Sequence, residues 1–177
     1  MLRQVALLRG INVGGKNQLP MKTLAAIFEE VGCTAVQTYI QSGNVVFDAP
    51  LKLDIPALVT RSILKQLSLA VPVVVRTAAE LAAVAAGNPF KSARDDMETH
   101  GVLFLADRPA AAAVAGLDPA RSPPDEYAVR GKEIYLHCPN GFGRTRLTND
   151  YFDRKLATIS TGRNWRTVQK LLELASA

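Results

Sequence analysis

The order of apolar positions along residues 1–77 predicts strand, helix, strand, strand, helix and strand. Short apolar runs predict the strands, and apolar residues at helical spacing predict the helices. The predicted segments are Val5–Leu8, Met21–Val31, Ala35–Ile40, Val45–Phe47, Asp54–Leu67 and Val73–Arg76. This order is that of the split βαβ, or ferredoxin-like, sheet.

Two loops of this predicted sheet share one edge. In a ferredoxin-like sheet the first strand lies between the third and the fourth, and it runs parallel to the second. The end of the first strand, the start of the first helix and the turn between strands two and three therefore lie together. We expect Arg9–Lys16 and Ser42–Asn44 to be neighbours in space.

The pattern of residues 78–177 predicts a second, smaller α+β lobe that ends in two helices. Thr77 and Glu80 have the spacing of a capping box, and a charged loop, Lys91–His100, follows that helix. Further strands are predicted at Val102–Ala106, Tyr127–Val129 and Ile134–Cys138, and further helices at Ala110–Ala115, Leu147–Leu156 and Trp165–Leu174. The sequence shows no clear internal repeat. The predicted class is α+β, with a ferredoxin-like βαββαβ lobe at 1–77 and a second lobe at 78–177.

The stretch Arg9–Lys16, which reads RGINVGGK, is the first candidate site. Its glycines supply a flexible loop with accessible backbone N–H groups, and a cation stands at each end, which suits an anion. The predicted ligand contacts are Arg9, Asn12, Gly14, Gly15 and Lys16, with Ser42 and Asn44 from the neighbouring turn. The alternative is structural: the glycines make the turn, the two asparagines bond backbone groups, and Arg9 pairs with a carboxylate.

The same stretch nearly matches a P-loop. Gly10, Gly15 and Lys16 fit G-x-x-x-x-G-K after an apolar strand. However, Asn17 stands where a P-loop has Ser or Thr to hold magnesium, and Pro20 would break a helix that began at the lysine. The sequence therefore argues against a nucleoside triphosphatase.

A second candidate group is basic and precedes the last two predicted helices. Residues 130–170 contain nine basic and three acidic residues, whereas residues 94–126 contain three basic and seven acidic ones. Arg144 and Arg146 precede one helix, and Arg163 and Asn164 precede the other. Arginine at a helix N-terminus opposes the macrodipole, which favours an anion nearby. The alternative is that Thr145, Thr148 and Asn164 cap the helices while the arginines reach solvent.

Composition limits the class of protein. With 48% hydrophobic residues, the chain is globular. Its net charge of +5 favours phosphates or nucleic acid as partners, or it only keeps the protein soluble. No apolar stretch approaches the ~20 residues of a membrane span, and the N-terminus does not resemble a signal peptide. We therefore expect a cytoplasmic protein that does not bind membranes. Cys33 and Cys138 stand alone, which predicts buried, reduced thiols and no metal site, and no cofactor is predicted.

Several segments together resemble a known bacterial family. They are LLRGINVGGKNQLPM, TYIQSGNVVF, VVVRTAAEL, NPF, RLT and GRNWRTVQKL, in this order and over nearly the whole chain. They resemble the family called domain of unknown function 1697. The resemblance implies an α+β fold with a ferredoxin-like part and implies no established activity or catalytic residue. Family members typically have Thr-Ala-Arg-Asn-Trp before the last helix, and Gly162 replaces that alanine here, which would loosen the helix cap.

The sequence thus favours binding of an anion, a nucleotide or the phosphates of a nucleic acid, at the edge formed by Arg9–Lys16 and Ser42–Asn44. An enzyme acting on a phosphorylated or acidic small molecule is one alternative. Catalysis stays undecided, because the two histidines, His100 and His137, form no Cys–His pair or triad by spacing. A scaffold or oligomerisation module is the other alternative, and the sequence does not fix the oligomeric state.

Overall fold

The computed structural model describes residues 1–90 and 97–177, so that residues 91–96 of the predicted loop Lys91–His100 lie outside it. The described residues form eight strands and six helices, and the α+β class predicted from the sequence is confirmed. They divide into two compact units, residues 1–82 with 171–177, and residues 83–170. No helix within the described ranges is long and apolar enough to cross a membrane.

The first unit contains one antiparallel sheet and two helices packed on it. Its elements are β1 (Leu2–Leu8), α1 (Met21–Glu30), β2 (Thr34–Tyr39), β3 (Asn44–Ala49), α2 (Ile55–Leu67) and β4 (Val73–Thr77). The strand order is β2-β3-β1-β4, and all three strand pairs are antiparallel. The predicted position of the first strand, between the third and the fourth, is confirmed.

Local sequence signals explain where these helices begin. Asp54 caps α2, because its Oδ1 accepts a hydrogen bond from Ala57 N at 3.1 Å. Thr77 and Glu80 form the predicted capping box for the next helix, α3 (Ala78–Ala86), through bonds of 2.8 and 3.2 Å. In contrast, α1 begins after Pro20, which supplies no side-chain cap. Buried residues of α1 and α2 pack on one face of the sheet, where the Phe28 and Phe47 rings lie 5.1 Å apart.

The second unit repeats the strand order of the first. After α3 it contains β5 (His100–Leu105), α4 (Ala111–Ala115), β6 (Glu126–Arg130), β7 (Glu133–His137), α5 (Asn149–Leu156) and β8 (Ser160–Asn164). The last helix, α6 (Trp165–Ser176), begins in this unit, and its residues from 171 onward belong to the first. Its antiparallel sheet has the order β6-β7-β5-β8. The sequence did not reveal this repeat of topology, because α4 has only five residues and its counterpart α1 has ten.

Strand β8 is an element that the sequence analysis missed. Its residues, Ser-Thr-Gly-Arg-Asn, show no apolar alternation, and we assigned their end to the start of the last helix. Pairing with β5 along the whole length of β8, from Leu105↔Ser160 to Gly101↔Asn164, makes them a strand. The correction matters for Arg163, because this residue lies inside a sheet, directly before the residue that caps α6.

Candidate functional site

The loop Arg9–Lys16 contains a small β-hairpin. Val13 and Lys16 form a β-bridge, in which Lys16 N donates to Val13 O at 3.0 Å, and Asn12 N donates to Asn17 O at 3.1 Å. Gly14 and Gly15 form the turn with φ of +57° and +75°, the type I′ geometry in which glycine carries no steric penalty. A P-loop turns its backbone N–H groups onto a phosphate. Since this loop uses those of Asn12 and Lys16 internally, it is not a P-loop.

Asn12 ties this loop to the neighbouring turn. Its side-chain Nδ2 donates to Leu19 O at 3.0 Å and to Gln41 O at 2.8 Å, and its Oδ1 accepts from Leu19 N at 2.8 Å. Both amide N–H bonds are therefore used, and none is left to donate to an anion. Asn12, which we predicted as a ligand contact, instead holds the loop in place.

The turn Ser42–Asn44 is packed against the end of β1, next to the loop. Leu8 N donates to Gly43 O at 2.8 Å, and a Cβ at Gly43 would lie 2.7 Å from Ile11 Cδ1. The predicted proximity of the two segments is thus found in the structure. Asn44 is fully buried, and its Nδ2 donates to Tyr39 O and to Ser42 Oγ, both at 3.0 Å. Asn44 therefore shapes the turn and does not present its amide to a ligand, contrary to the sequence prediction.

We call the surface formed by residues 9–22 and 40–44 the loop edge. On it, Lys16, Gly14 and Gly15 are exposed, whereas Arg9 and Ser42 are half-buried. The backbone of Arg9 also bonds the start of β4, because its N–H donates to Pro72 O at 3.0 Å. Five predicted contacts thus lie on the loop edge with some exposure, and the two asparagines support them.

An open depression of about 420 Å³ lies on the loop edge, beside the start of α1. Its lining residues are Asn12, Gly15, Gln18, Leu19, Pro20 and Gln41. Gln18 and Gln41 lie in the segments that resemble the family, but nothing in the pattern of glycines and charges predicts either as a ligand contact. None of the lining side chains titrates, so that the depression supplies hydrogen-bonding groups but no general acid or base.

Arg163 lies in β8 with its side chain buried. Gly162 faces Leu103, because a Cβ at Gly162 would lie 2.9 Å from Leu103 Cδ2. Side chains alternate along a strand, so Arg163 points to the opposite face together with Thr161. Its Nη1 donates to Thr161 Oγ1 at 2.9 Å and to Gly162 O at 2.7 Å, and burial lowers the pKa of its guanidinium to about 10. Arg163 thus precedes the start of α6, as the sequence predicts, but its side chain is buried and donates hydrogen bonds within β8.

The other predicted residues of the second unit divide into exposed cations and helix caps. Arg144 and Arg146 are exposed on the loop before α5. Thr148 caps α5 by accepting from Tyr151 N at 3.2 Å, and Asn164 caps α6 by accepting from Thr167 N at 2.8 Å. The alternative that threonine and asparagine cap these helices agrees with the structure. The bond of Asn164 that caps α6 is present next to Gly162.

A second concave site lies within the second unit. This cavity has a volume of about 440 Å³, which is within the range of small-molecule sites. Its floor is formed by β5 and β8 and its wall by residues 142–149. Lining residues include Gly101, Phe142, Thr145, Asn149, Gly162 and Asn164. Of these, the sequence analysis had named only Asn164 as a contact.

Among the described residues of the second unit, the histidines do not form a catalytic pair with its cysteine. His137 pairs with His100 across β5 and β7, with their rings 4.6 Å apart, whereas Cys138 belongs to the apolar cluster under α5. Cys33 and Cys138 are both buried and free, as predicted, and burial raises the pKa of each thiol to about 11. Within residues 1–90 and 97–177, no three His, Cys, Asp or Glu side chains group to hold a metal ion.

Comparison with known proteins identifies the family. A family model described as "Protein of unknown function (DUF1697)" matches residues 1–135. The chain belongs to the DUF1697 family. This DUF1697 chain is also similar in fold to a solved structure, the conserved bacterial protein SP0830 from Streptococcus pneumoniae, with a TM-score of 0.65, 20% sequence identity and 98% of each chain covered. A search of curated proteins found no match.

The family match covers the whole loop edge of this DUF1697 chain. The residues of β8, by contrast, lie beyond the matched residues 1–135. At 20% identity, the similarity to SP0830 concerns the fold alone. The chemistry of the loop edge therefore has to be argued from the residues that form it.

Proposed function

We propose that this DUF1697 protein binds an anionic ligand at the loop edge, namely the phosphate groups of a nucleotide or nucleic acid. The observation that carries the proposal is the distribution of charge. Residues 9–22 and 40–44, which form this edge, contain three cations and no Asp or Glu. The cations are Arg9, Lys16 and Lys22. A surface of one charge sign raises the local concentration of oppositely charged ligands.

The start of α1 adds to the same field. The first intrahelical bond runs from Leu24 N to Pro20 O, so the N–H groups of residues 21–23 have no acceptor within the helix. Pro20 provides no side-chain cap and the first turn contains no acidic residue, whereas Lys22 is exposed there. A lysine in the first turn lies next to the positive end of the helix macrodipole, which is unfavourable. A bound anion would offset the charge of the lysine and that of the helix end.

The open shape of the depression favours binding over catalysis. An enzyme that acts on a phosphorylated or acidic molecule would need a general acid or base beside the bound substrate. The residues that line the depression are amides, a glycine, a leucine and a proline. An open surface of this kind suits a phosphate that belongs to a larger ligand, such as a single-stranded nucleic acid.

The test is the salt dependence of binding to a fluorescein-labelled, single-stranded deoxythymidine dodecamer. The slope of log K against log salt is negative, and each lost phosphate contact makes it about 0.7 less steep. Lys16→Gln with Lys22→Gln should therefore make the slope about 1.4 less steep. This change corresponds to about a sevenfold smaller loss of affinity between 50 and 200 mM salt. ATP and inorganic phosphate serve as competitors that distinguish a nucleotide site from a nucleic-acid site.

A matched control removes the same charge elsewhere in the first unit. Lys52 and Lys65 are both exposed and lie outside the loop edge. Lys52→Gln with Lys65→Gln should leave the slope close to that of the wild type. Equal slopes for the two double variants, or no binding of the dodecamer, ATP or phosphate at low salt, would contradict the proposal.

A second candidate function rests on two exposed apolar side chains of the loop edge. Val13 is 63% exposed and Ile40 is 47% exposed. Exposed apolar residues on an edge that also carries cations suit contact with a protein, either a second copy of this chain or an acidic partner. Sedimentation at high protein concentration tests the first case. A stable oligomer that Ile40→Ser dissociates would favour the scaffold function, and a monomer would exclude self-association.

A further inference from the structure

The cavity in the second unit is lined by uncharged side chains. Leu103, Phe142 and Leu147 supply apolar surface, and Thr145, Asn149 and Asn164 supply polar groups. Arg163 also borders the cavity, but its side chain lies on the other face of the sheet, so only its backbone contributes. This cavity belongs to the second unit, and its uncharged lining distinguishes it from the cationic loop edge of the first.

The amide of Asn149 has a fixed orientation in this cavity. Its Nδ2 donates to Ser160 Oγ at 2.8 Å, and the Ser160 hydroxyl in turn donates to Asp153 Oδ1 at 2.7 Å. Since a carboxylate only accepts, the Ser160 oxygen must accept from Asn149, which sets the amide. The Oδ1 of Asn149 lies 3.9 Å from the position of a Cβ at Gly162 and accepts no hydrogen bond from the described residues.

The amide of Asn164 is fixed in the opposite sense. Its Oδ1 accepts from Thr167 N at 2.8 Å, so its Nδ2 is the free end. This Nδ2 donates to no residue within the ranges that the structure describes. Asn164 pairs with Gly101 across β5 and β8, and the Phe142 ring lies 3.0 Å from the position of a Cβ at Gly101. The cavity therefore presents one amide donor and one amide acceptor without protein partners.

We propose that this cavity binds a small, uncharged molecule with a planar apolar body and an amide group, such as an aromatic or cyclic amide. The carbonyl oxygen of that amide accepts from Asn164 Nδ2, and its N–H donates to Asn149 Oδ1. The planar body lies against Leu103, Phe142 and Leu147. A charged analogue is disfavoured, because no lining side chain offsets the loss of its hydration.

The test compares the affinities of nicotinamide and nicotinate, measured by protein-observed NMR on the full chain. The two molecules differ only in that nicotinate has a carboxylate in place of the amide. Nicotinamide should bind with Kd below about 1 mM, and nicotinate should bind about tenfold or more weakly. Asn164→Asp keeps the helix cap, because aspartate caps as well as asparagine. It removes the amide donor, so it should weaken nicotinamide binding about tenfold.

A second variant tests the place of binding without touching a hydrogen bond. Gly143 lines the cavity, and a Cβ there meets no atom within 4 Å, so Gly143→Leu adds bulk without a clash. Gly116→Leu is the control, since a Cβ at Gly116 makes only ordinary contacts of 3.5 and 3.6 Å away from the cavity. Gly143→Leu should weaken binding and Gly116→Leu should not.

The proposal is overturned if nicotinamide produces no saturable shift. It is also overturned if nicotinate binds as well as nicotinamide, or if Asn164→Asp and Gly143→Leu both leave the affinity unchanged. If Asn164→Asp fails to fold, as its NMR spectrum would show, Gly143→Leu and the nicotinate comparison still decide the outcome.

Discussion

Replacing Asn12 with alanine tests whether its amide holds the loop edge together. The side chain makes three hydrogen bonds, two to Leu19 and one to Gln41, and Leu19 is fully buried. Asn12→Ala therefore removes the partners of a buried N–H and of two carbonyl groups. The residue also has a φ of +53°, where alanine is less stable than asparagine.

Asn17 provides a matched control for this change. It is also an asparagine, its φ is +50°, and its side chain donates one hydrogen bond, from Nδ2 to Gly10 O at 2.9 Å. The backbone cost of alanine is therefore similar at both positions and cancels in the comparison. The two additional hydrogen bonds of Asn12, at about 1 kcal/mol each, should make Asn12→Ala about 2 kcal/mol more destabilising than Asn17→Ala.

Urea unfolding followed by circular dichroism measures this difference as a change in the free energy of unfolding. Amide hydrogen exchange adds a local readout, because Leu19 N–H donates directly to Asn12 Oδ1. In Asn12→Ala, the Leu19 amide should exchange faster, and in Asn17→Ala it should keep its protection. Equal destabilisation by the two variants, with unchanged Leu19 protection, would show that Asn12 does not organise the loop edge.

Three further predictions concern packing, pH and capping. Gly43→Ala should lower the free energy of unfolding by about 3 kcal/mol in urea titrations, because φ is +87° and the new Cβ would lie 2.8 Å from Leu8 Cβ. Gly14→Ala, which has open space around the new Cβ, should lower it by about 1 kcal/mol. Equal effects of the two substitutions would contradict the packing argument. Because burial raises the pKa of the Cys33 thiol from 9.0 to about 11, its contribution to stability is fully present below pH 9 and is lost as the pH rises towards 11. In urea titrations, the free energy of unfolding of Cys33→Ala should therefore fall over this interval by about 3 kcal/mol less than that of the wild type. An identical fall in the two proteins would show that the Cys33 thiol does not titrate in this way. Thr148→Ala should destabilise the protein to thermal unfolding by about 1 kcal/mol, whereas Thr148→Ser, which keeps the α5 cap, should cost far less.

The sequence predicted the first unit because local and periodic signals there agree with each other. The apolar runs, the Asp54 cap and the Thr77–Glu80 capping box all lie where the structure has element ends. The proximity of Arg9–Lys16 and Ser42–Asn44 followed from strand order alone, since topology brings distant segments to one edge. The turn at Gly14 and Gly15 is likewise a local property of its two glycines.

The sequence did not predict the roles of Asn12, Asn44 and Arg163, because these depend on distant partners. Asn12 bonds Gln41 across the loop edge, and no spacing rule indicates such a contact. Asn44 is buried because β3 begins at that residue, next to β1. The polar strand β8 exists because β5 pairs with it, and burial of Arg163 follows from that pairing. An arginine near a predicted helix start therefore cannot be assigned to a ligand from sequence.

The measurement that tests the central claim most directly is a titration of the isotope-labelled protein with the deoxythymidine dodecamer, followed by amide chemical shifts. If the loop edge binds phosphate, the shifts should be largest for Gly14–Lys16 and for residues 21–23 at the start of α1. They should diminish at high salt and in the Lys16→Gln, Lys22→Gln variant. Shifts confined to the exposed loop around Arg144 and Arg146, with none at Gly14–Lys16, would contradict the account.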